Sequence, residues 1–217
     1  MQAPVSLNLQ SQQLWLSEER AIFWESGKTL IVSDLHLGKG GHFRKSGIAV
    51  PQKILTHDLQ RLIGLIQYFQ PKRILITGDL FHSHANDEME LFMKWRKDLP
   101  IEEILLVQGN HDILQDSWYQ EQQIKIVKGV YEEFPFSFTH DPAFEVNPSY
   151  YTFTGHIHPG YIIRGKGKQQ LKFPCFHFGK NYAILPAFGG FTGSVAVDPL
   201  KEDIIFAIVE NKLIRMQ

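Results

Sequence analysis

The chain has 217 residues, 43% of them hydrophobic and 21% charged, with a formal net charge of −1. That is enough length to bury a sizeable core in one domain spanning residues 1–217, and the composition is that of a soluble globular protein. A single cysteine, Cys175, excludes an internal disulfide, argues against thiolate metal ligation and fits the reducing cytoplasm. The N-terminus shows no leader pattern and no apolar run approaches the length of a bilayer span, so no membrane association is expected.

Residues 5–24 alternate polar and apolar through Leu7, Leu9, Leu14, Leu16, Ile22 and Phe23, which predicts short antiparallel edge strands. Thr29-Leu30-Ile31-Val32-Ser33 is a buried strand that runs into Asp34-Leu35-His36. A Gly-rich loop follows, holding Lys39, His42 and Arg44. Pro51 opens a helix whose face is Leu55, Leu59, Leu62, Ile66 and Phe69, and Pro71 closes it. Strand 73–77 ends in Gly78-Asp79, and a second helix runs from about Asp87 to Lys97, with basic residues in its last turn. Strand 104–108 delivers Gly109-Asn110-His111-Asp112 and completes a β-α-β-α-β unit, which favours a parallel sheet. Beyond Ser117 the chain reads as short strands over 123–163 and 170–215, with a hairpin turn at Gly165-Lys166-Gly167. Two of these strands end in His140-Asp141 and in Gly155-His156-Ile157-His158. The picture is two sheets packed face to face, with helices outside the parallel part.

Five apolar strands thus deliver Asp, Asn or His at their ends. In open sheets, sites form beyond the carboxyl ends of parallel strands. Oxygen and imidazole donors without thiolate suit Mn²⁺, Fe or Zn²⁺. The seven candidates Asp34, His36, Asp79, Asn110, His140, His156 and His158 are too many for one ion. Two ions about 3.5–4 Å apart sharing a carboxylate would use them all, and such pairs serve in-line displacement at phosphorus.

Asp34-x-His36, Gly78-Asp79, Gly109-Asn110-His111-Asp112, His140 and Gly155-His156-x-His158 resemble the calcineurin-like metallophosphoesterases, with all blocks in family order. The resemblance implies an α/β fold, a four-layer α/β/β/α sandwich of two mixed β-sheets flanked by helices. Asp34, His36 and His158 would hold one ion, and Asn110, His140 and His156 the other, with Asp79 bridging. His111 would contact the phosphate and protonate the leaving oxygen, oriented by Asp112. Asp141 departs from the glycine that many relatives carry after the histidine. A closer resemblance is to the bacterial DNA-ligase-associated (ICC-like) phosphoesterases. It rests on Asp34-Leu35-His36-Leu37-Gly38-Lys39, His42-Phe43-Arg44, Gly47-Ile48-Ala49-Val50-Pro51, Gly78-Asp79-Leu80-Phe81-His82-Ser83 and the segment Leu185–Gly193. It implies an endonuclease or phosphodiesterase working on DNA in repair, with a DNA ligase and a helicase as partners and two divalent transition-metal ions, manganese first.

Two acid-free stretches, Leu35–His57 and Val146–Val197, collect lysines and arginines, and they read either as an anion-favouring face or as solvated loops. Lys39, His42, Arg44 and His82 are the candidate substrate contacts; capping of the turn is the other reading of His82. His57 reads as surface, while His177 and Cys175 read as packing. The four tryptophans read as core, Trp118 being nearest the Asn110 loop. A phosphatase or pyrophosphatase for a small nucleotide or lipid-linked substrate needs the same ligands. A non-catalytic binding module on this fold would show eroded ligands, and here they are intact.

Overall fold

The computed structural model describes residues 2–39, 53–82, 87–144, 146–165, 167 and 169–217. His42, Arg44, Lys45, Pro51, His84, Lys166 and Lys168 lie outside the described residues.

The first sheet has seven strands in sequence order: β1 (Val5–Leu9), β2 (Gln12–Ser17), β3 (Ala21–Trp24), β4 (Thr29–Val32), β5 (Arg73–Ile76), β6 (Glu103–Val107) and β7 (Ile124–Val127). β1 to β4 are antiparallel hairpins, and β4 to β7 are parallel. The helices α1 (Lys53–Phe69), α2 (Asp87–Asp98) and α3 (Asp116–Glu121) make the parallel crossovers. The edge strands, the parallel unit and the two long helices agree with the sequence expectation. The short helix α3 lies just before the expected short strands, where the sequence reading assigned no element, and it buries Tyr119 completely.

The second sheet holds β8 (Val130–Glu133), β9 (Phe136–Thr139), β10 (Tyr151–Thr154), β11 (Pro159–Arg164), β12 (Gln170–Phe178), β13 (Tyr182–Ile184), β14 (Val195–Ala196), β15 (Ile204–Val209) and β16 (Lys212–Arg215). Its order is β14-β11-β12-β13-β10-β9-β8, with β15 paired to β12 and β16. It is mixed: β9, β10 and β13 run parallel, and β8 pairs β9 antiparallel.

The period of two explains why the central strands read as unbroken apolar runs. Leu30, Val32, Ile74, Ile76, Ile104 and Leu106 point at the helices. Ile31, Leu75, Leu105 and Val107 point at the other sheet. From β9 and β10, Phe136, Phe138, Tyr151 and Phe153 meet them, each at 2% exposure or less. Each such side chain contributes about 1.5–3 kcal/mol of transfer free energy. On the outer face of the second sheet, Ser137 and Thr152 share a hydrogen bond of 2.9 Å, and a small cluster forms around Cys175, Ile205 and Ala207. Among the described residues all three helices pack on the first sheet, so the layers run helices, first sheet, second sheet, in the order of the expected sandwich.

Candidate metal centre and active site

Parallel pairing brings the ends of β4, β5 and β6 level, Val32 beside Ile76 and Ile76 beside Leu106. In the second sheet Thr154 stands beside Thr139. The loops continue the pairing past the strands: Asp34 N–H donates to Gly78 O at 3.1 Å and His36 N–H to Asp79 O at 2.9 Å. The Asp34, Asp79 and Asn110 loops of one sheet therefore face the His140 and His156–His158 loops of the other.

Asp34, His36, Asp79, His156 and His158 all have positive φ, between 49° and 67°. Left-handed backbone is unfavourable for residues with a Cβ and is retained where surrounding contacts over-determine it, commonly at functional sites. Gly78, at φ 87°, serves a different need: a Cβ there would lie 2.1 Å from His140 Nδ1. The β5 loop can touch the β9 loop only because Gly78 has no side chain.

All seven candidate ligands converge. Asp34 Oδ1 is 3.0 Å from His158 Nε2, and both it and Asp79 Oδ2 are 3.9 Å from His36 Nε2. Asp79 Oδ2 is also 3.4 Å from His140 Nε2, so it stands between the two halves of the cluster. Asn110 Oδ1 is 3.0 Å from His140 Nε2 and 3.1 Å from His156 Nδ1. Nitrogen faces nitrogen at 3.4 Å between His36 and His158 and at 3.2 Å between His156 and His140. Lone pairs converging beside buried carboxylates are what a divalent cation satisfies, so the donor set fits the metal that the motifs imply. Asp34, His36 and His158 form one group that could hold an ion, and Asp34, Asp79 and His140 form another. Asp34, Asp79 and His140 are at most 2% exposed, while Asn110 and His156 face solvent, so the cluster has a buried floor and an open mouth.

Electrostatics separates the histidines. Burial pushes His36 down to about 3 against the pull of Asp34 and Asp79, leaving it neutral. Burial opposes the charged form of His140 too, but the hydrogen bond and charge of Asp79 prevail and raise it to about 9. Burial acts to raise Asp79, yet His140 and the His111 N–H hold its carboxyl below the usual range. With its folded pKa raised, His140 contributes stability that is complete below about 6.5 and lost as pH rises through about 9. Chelator-treated protein should therefore unfold at lower urea concentration as pH goes from 6.5 to 9, and Asp79→Asn should flatten that slope. A parent midpoint that stays constant over this window would contradict the pairing.

His111 is half-buried, stacked on His82 with ring centroids 4.7 Å apart, and edge-on to His36 at 5.4 Å. His82 also meets His36 edge-on at 5.4 Å, so it belongs to the aromatic wall of the cluster. Lys39 is half-buried; burial lowers its pKa while Asp34 and Asp79 pull it back up, which places its charge beside the cluster. Asp112 corrects an expectation. Its Oδ1 accepts the Phe81 N–H at 3.1 Å and its Oδ2 the Gly109 N–H at 2.9 Å, so its oxygens tie the β5 loop to the β6 loop instead of orienting His111. Burial pushes this carboxyl up to about 7 against those two bonds.

Sequence reasoning missed a brace. Arg20 Nη1 donates to Ala187 O and Gly189 O, Arg61 Nη1 to Phe188 O, and Asp58 Oδ2 accepts the Gly190 N–H. The braced segment in turn bonds Ser33 O and Asp34 O through the Phe188 and Gly189 N–H groups. The Leu185–Gly193 stretch is thus a backing to the Asp34 loop. Burial, then the charge of Arg61, lowers Arg20 to about 10. The surface reading of His57 and the packing reading of Cys175 agree with the structure, and His177 is buried against Asp203 at 2.7 Å. Trp118 packs edge-on to Phe81. Arg164, Lys172 and Lys180 are exposed.

The sequence matches the calcineurin-like phosphoesterase family over residues 27–202, and the chain belongs to that family. It is a hydrolytic phosphoesterase of a family that uses divalent metal ions. Among solved structures it is similar to the Pseudomonas putida nuclease MPE, with 26% identity, coverage of 98% of this chain and 100% of that one, and a TM-score of 0.84. It is also similar to the phosphoesterase Yfce from E. coli, with 13% identity, coverage of 86% and 96%, and a TM-score of 0.50, a likeness of fold alone. No curated protein matches the sequence. Among the described residues no helix is long and apolar enough to cross a membrane.

Proposed function

We propose that the protein is a dinuclear, divalent-metal-dependent phosphodiesterase that cuts nucleic acid. The observation that carries this reading is the whole-chain likeness to nuclease MPE at 26% identity. Asp34, His36 and His158 would hold one ion, Asn110, His140 and His156 the other, and Asp79 would be shared. When bound, the ions polarise the phosphoryl group and make water a competent nucleophile at neutral pH. Manganese is the first ion to test, with iron and zinc next.

The chain's own residues do the rest. His111 stands at the mouth, where its imidazole can give a proton to the leaving oxygen. His82, stacked on it, limits its rotation. Lys39 adds positive charge beside the cluster, where charge develops on the phosphoryl oxygens. His42 and Arg44 are sequence candidates for further phosphate contacts. The motif resemblance to ligase-associated phosphoesterases extends the proposal to DNA repair in the cytoplasm, alongside a DNA ligase and a helicase.

The test uses manganese-loaded protein with single-stranded DNA, a mononucleotide, and bis-p-nitrophenyl phosphate. DNA and the aryl diester should be cut, and DNA binding should weaken by roughly 0.7–0.9 log units per log unit of salt for each phosphate contacted. Lys39→Ala should reduce that slope. His111→Ala should keep its metal and lose turnover by about 10²–10⁴-fold, the usual scale for one acid–base group. Untouched DNA together with efficient mononucleotide hydrolysis would replace this reading with a small-molecule phosphatase.

A further inference from the structure

Resting on that metal-site reading, we propose that Ser33 is a positioning residue that makes Asp34 a one-oxygen ligand. Ser33 is fully buried, and its hydroxyl lies 2.5 Å from Asp34 Oδ2 and 3.2 Å from Thr77 O. A hydroxyl has one proton, and the charged carboxylate is the stronger acceptor. Thr77 O already has a partner, His140 Nδ1, at 3.0 Å. The Ser33 proton therefore goes to Oδ2.

A second donor reaches the same carboxylate. The His156 N–H is 3.2 Å from Oδ2 and 3.4 Å from Oδ1. That approach depends on Gly155, where a Cβ would stand 2.1 Å from Ser33 Oγ and 2.6 Å from Asp34 Oδ2. Oδ2 is thereby enclosed by protein donors. Oδ1 is left to face His158 Nε2 at 3.0 Å and His36 Nε2 at 3.9 Å. Asp34 itself has φ 52°, a conformation that needs outside contacts to persist. The Ser33 hydroxyl supplies one on the carboxylate, and the braced Phe188–Gly189 segment supplies another on the backbone.

Partners that hydrogen-bond a ligating group from behind commonly change metal affinity by about 10–100-fold when removed. Without the Ser33 donor, only the longer His156 N–H contacts, shared between both oxygens, restrain the Asp34 carboxylate, and it can turn about its last torsion to present either oxygen or both. The loss should fall mainly on the ion of the Asp34, His36 and His158 group, because in the proposed partition the other ion would be held by Asn110, His140, His156 and the shared Asp79.

The experiment titrates metal-free protein with Mn²⁺ and follows the electron paramagnetic resonance of the free ion. Two backgrounds isolate the groups: Asn110→Ala keeps the Asp34 group, and His36→Ala breaks it. Ser33→Ala should weaken Mn²⁺ binding about 10–100-fold in the first background and by less than about threefold in the second. Ser33→Cys, nearly the same size with a weak donor, should fall between, and it is read in place of Ser33→Ala should the alanine variant fail to fold. Equal losses in both backgrounds, or none in either, overturn the proposal while the metal reading stands. A parent protein that binds no Mn²⁺ overturns the metal reading and this proposal with it.

Discussion

Asp79→Ala is expected to leave a folded protein that retains at most a small fraction of its metal and has no measurable turnover. Asp79 Oδ2 is 3.4 Å from His140 and 3.9 Å from His36, so one oxygen serves both halves of the cluster. Its Oδ1 accepts the His111 N–H at 2.9 Å, so the same side chain seats the proposed acid on the β6 loop. Alanine removes the shared anion and that seat together. Two cations brought about 3.5–4 Å apart repel each other strongly, and the shared carboxylate offsets this. Removing it should weaken both ions, whereas a change to one outer ligand, such as His156, should weaken mainly one. Folding should survive because His140 can lose its proton once its partner is gone. Elemental analysis after dialysis, alongside the rate on an aryl phosphodiester, checks this. Two ions at full occupancy in Asp79→Ala would refute the shared role.

The strand ends were legible because parallel strands buried on both faces must be apolar throughout, so each stops visibly at its first Gly, Asp or His. Leu30-Ile31-Val32 and Ile74-Leu75-Ile76 show this most plainly, and the helix α1 showed itself by its Leu55–Leu59–Leu62–Ile66 stripe. The helix α3 did not, since Asp116–Glu121 is too short to display a helical period. Asp112 was misread because its partners are backbone N–H groups, which every residue but proline carries and no motif marks. The brace on the 187–190 segment joins residues 127 to 169 positions apart in the chain, as Arg61 with Phe188 and Arg20 with Gly189, and nothing in the local pattern links them. Ser33 was read only as the last residue of a strand. Its hydroxyl gains meaning from Gly155, which a different sheet brings against it.

Gly78→Ala tests the meeting of the two sheets with a single methyl group. The added Cβ would stand 2.1 Å from His140 Nδ1 and 2.4 Å from its Cγ, well inside contact distance. His140 cannot simply retreat, because its Nδ1 is hydrogen-bonded to Thr77 O and its Nε2 faces Asn110 and Asp79. The backbone at residue 78, at φ 87°, adds a left-handed penalty that glycine does not carry. Overpacking costs about 1–3 kcal/mol and the backbone about 1 kcal/mol more. For a chain of this size such a loss lowers the melting temperature by on the order of 10 °C. The way for the protein to relieve the clash is to part the β5 and β9 loops, which carries His140 away from Asp79 and divides the cluster. Metal affinity and turnover should therefore fall together with stability, and added Mn²⁺ should recover less of the lost melting temperature than it adds to the parent. Thermal melts of both proteins with chelator and with Mn²⁺ measure this. Parent-like melting and metal response in Gly78→Ala would mean that the ends of β5 and β9 do not meet at residue 78.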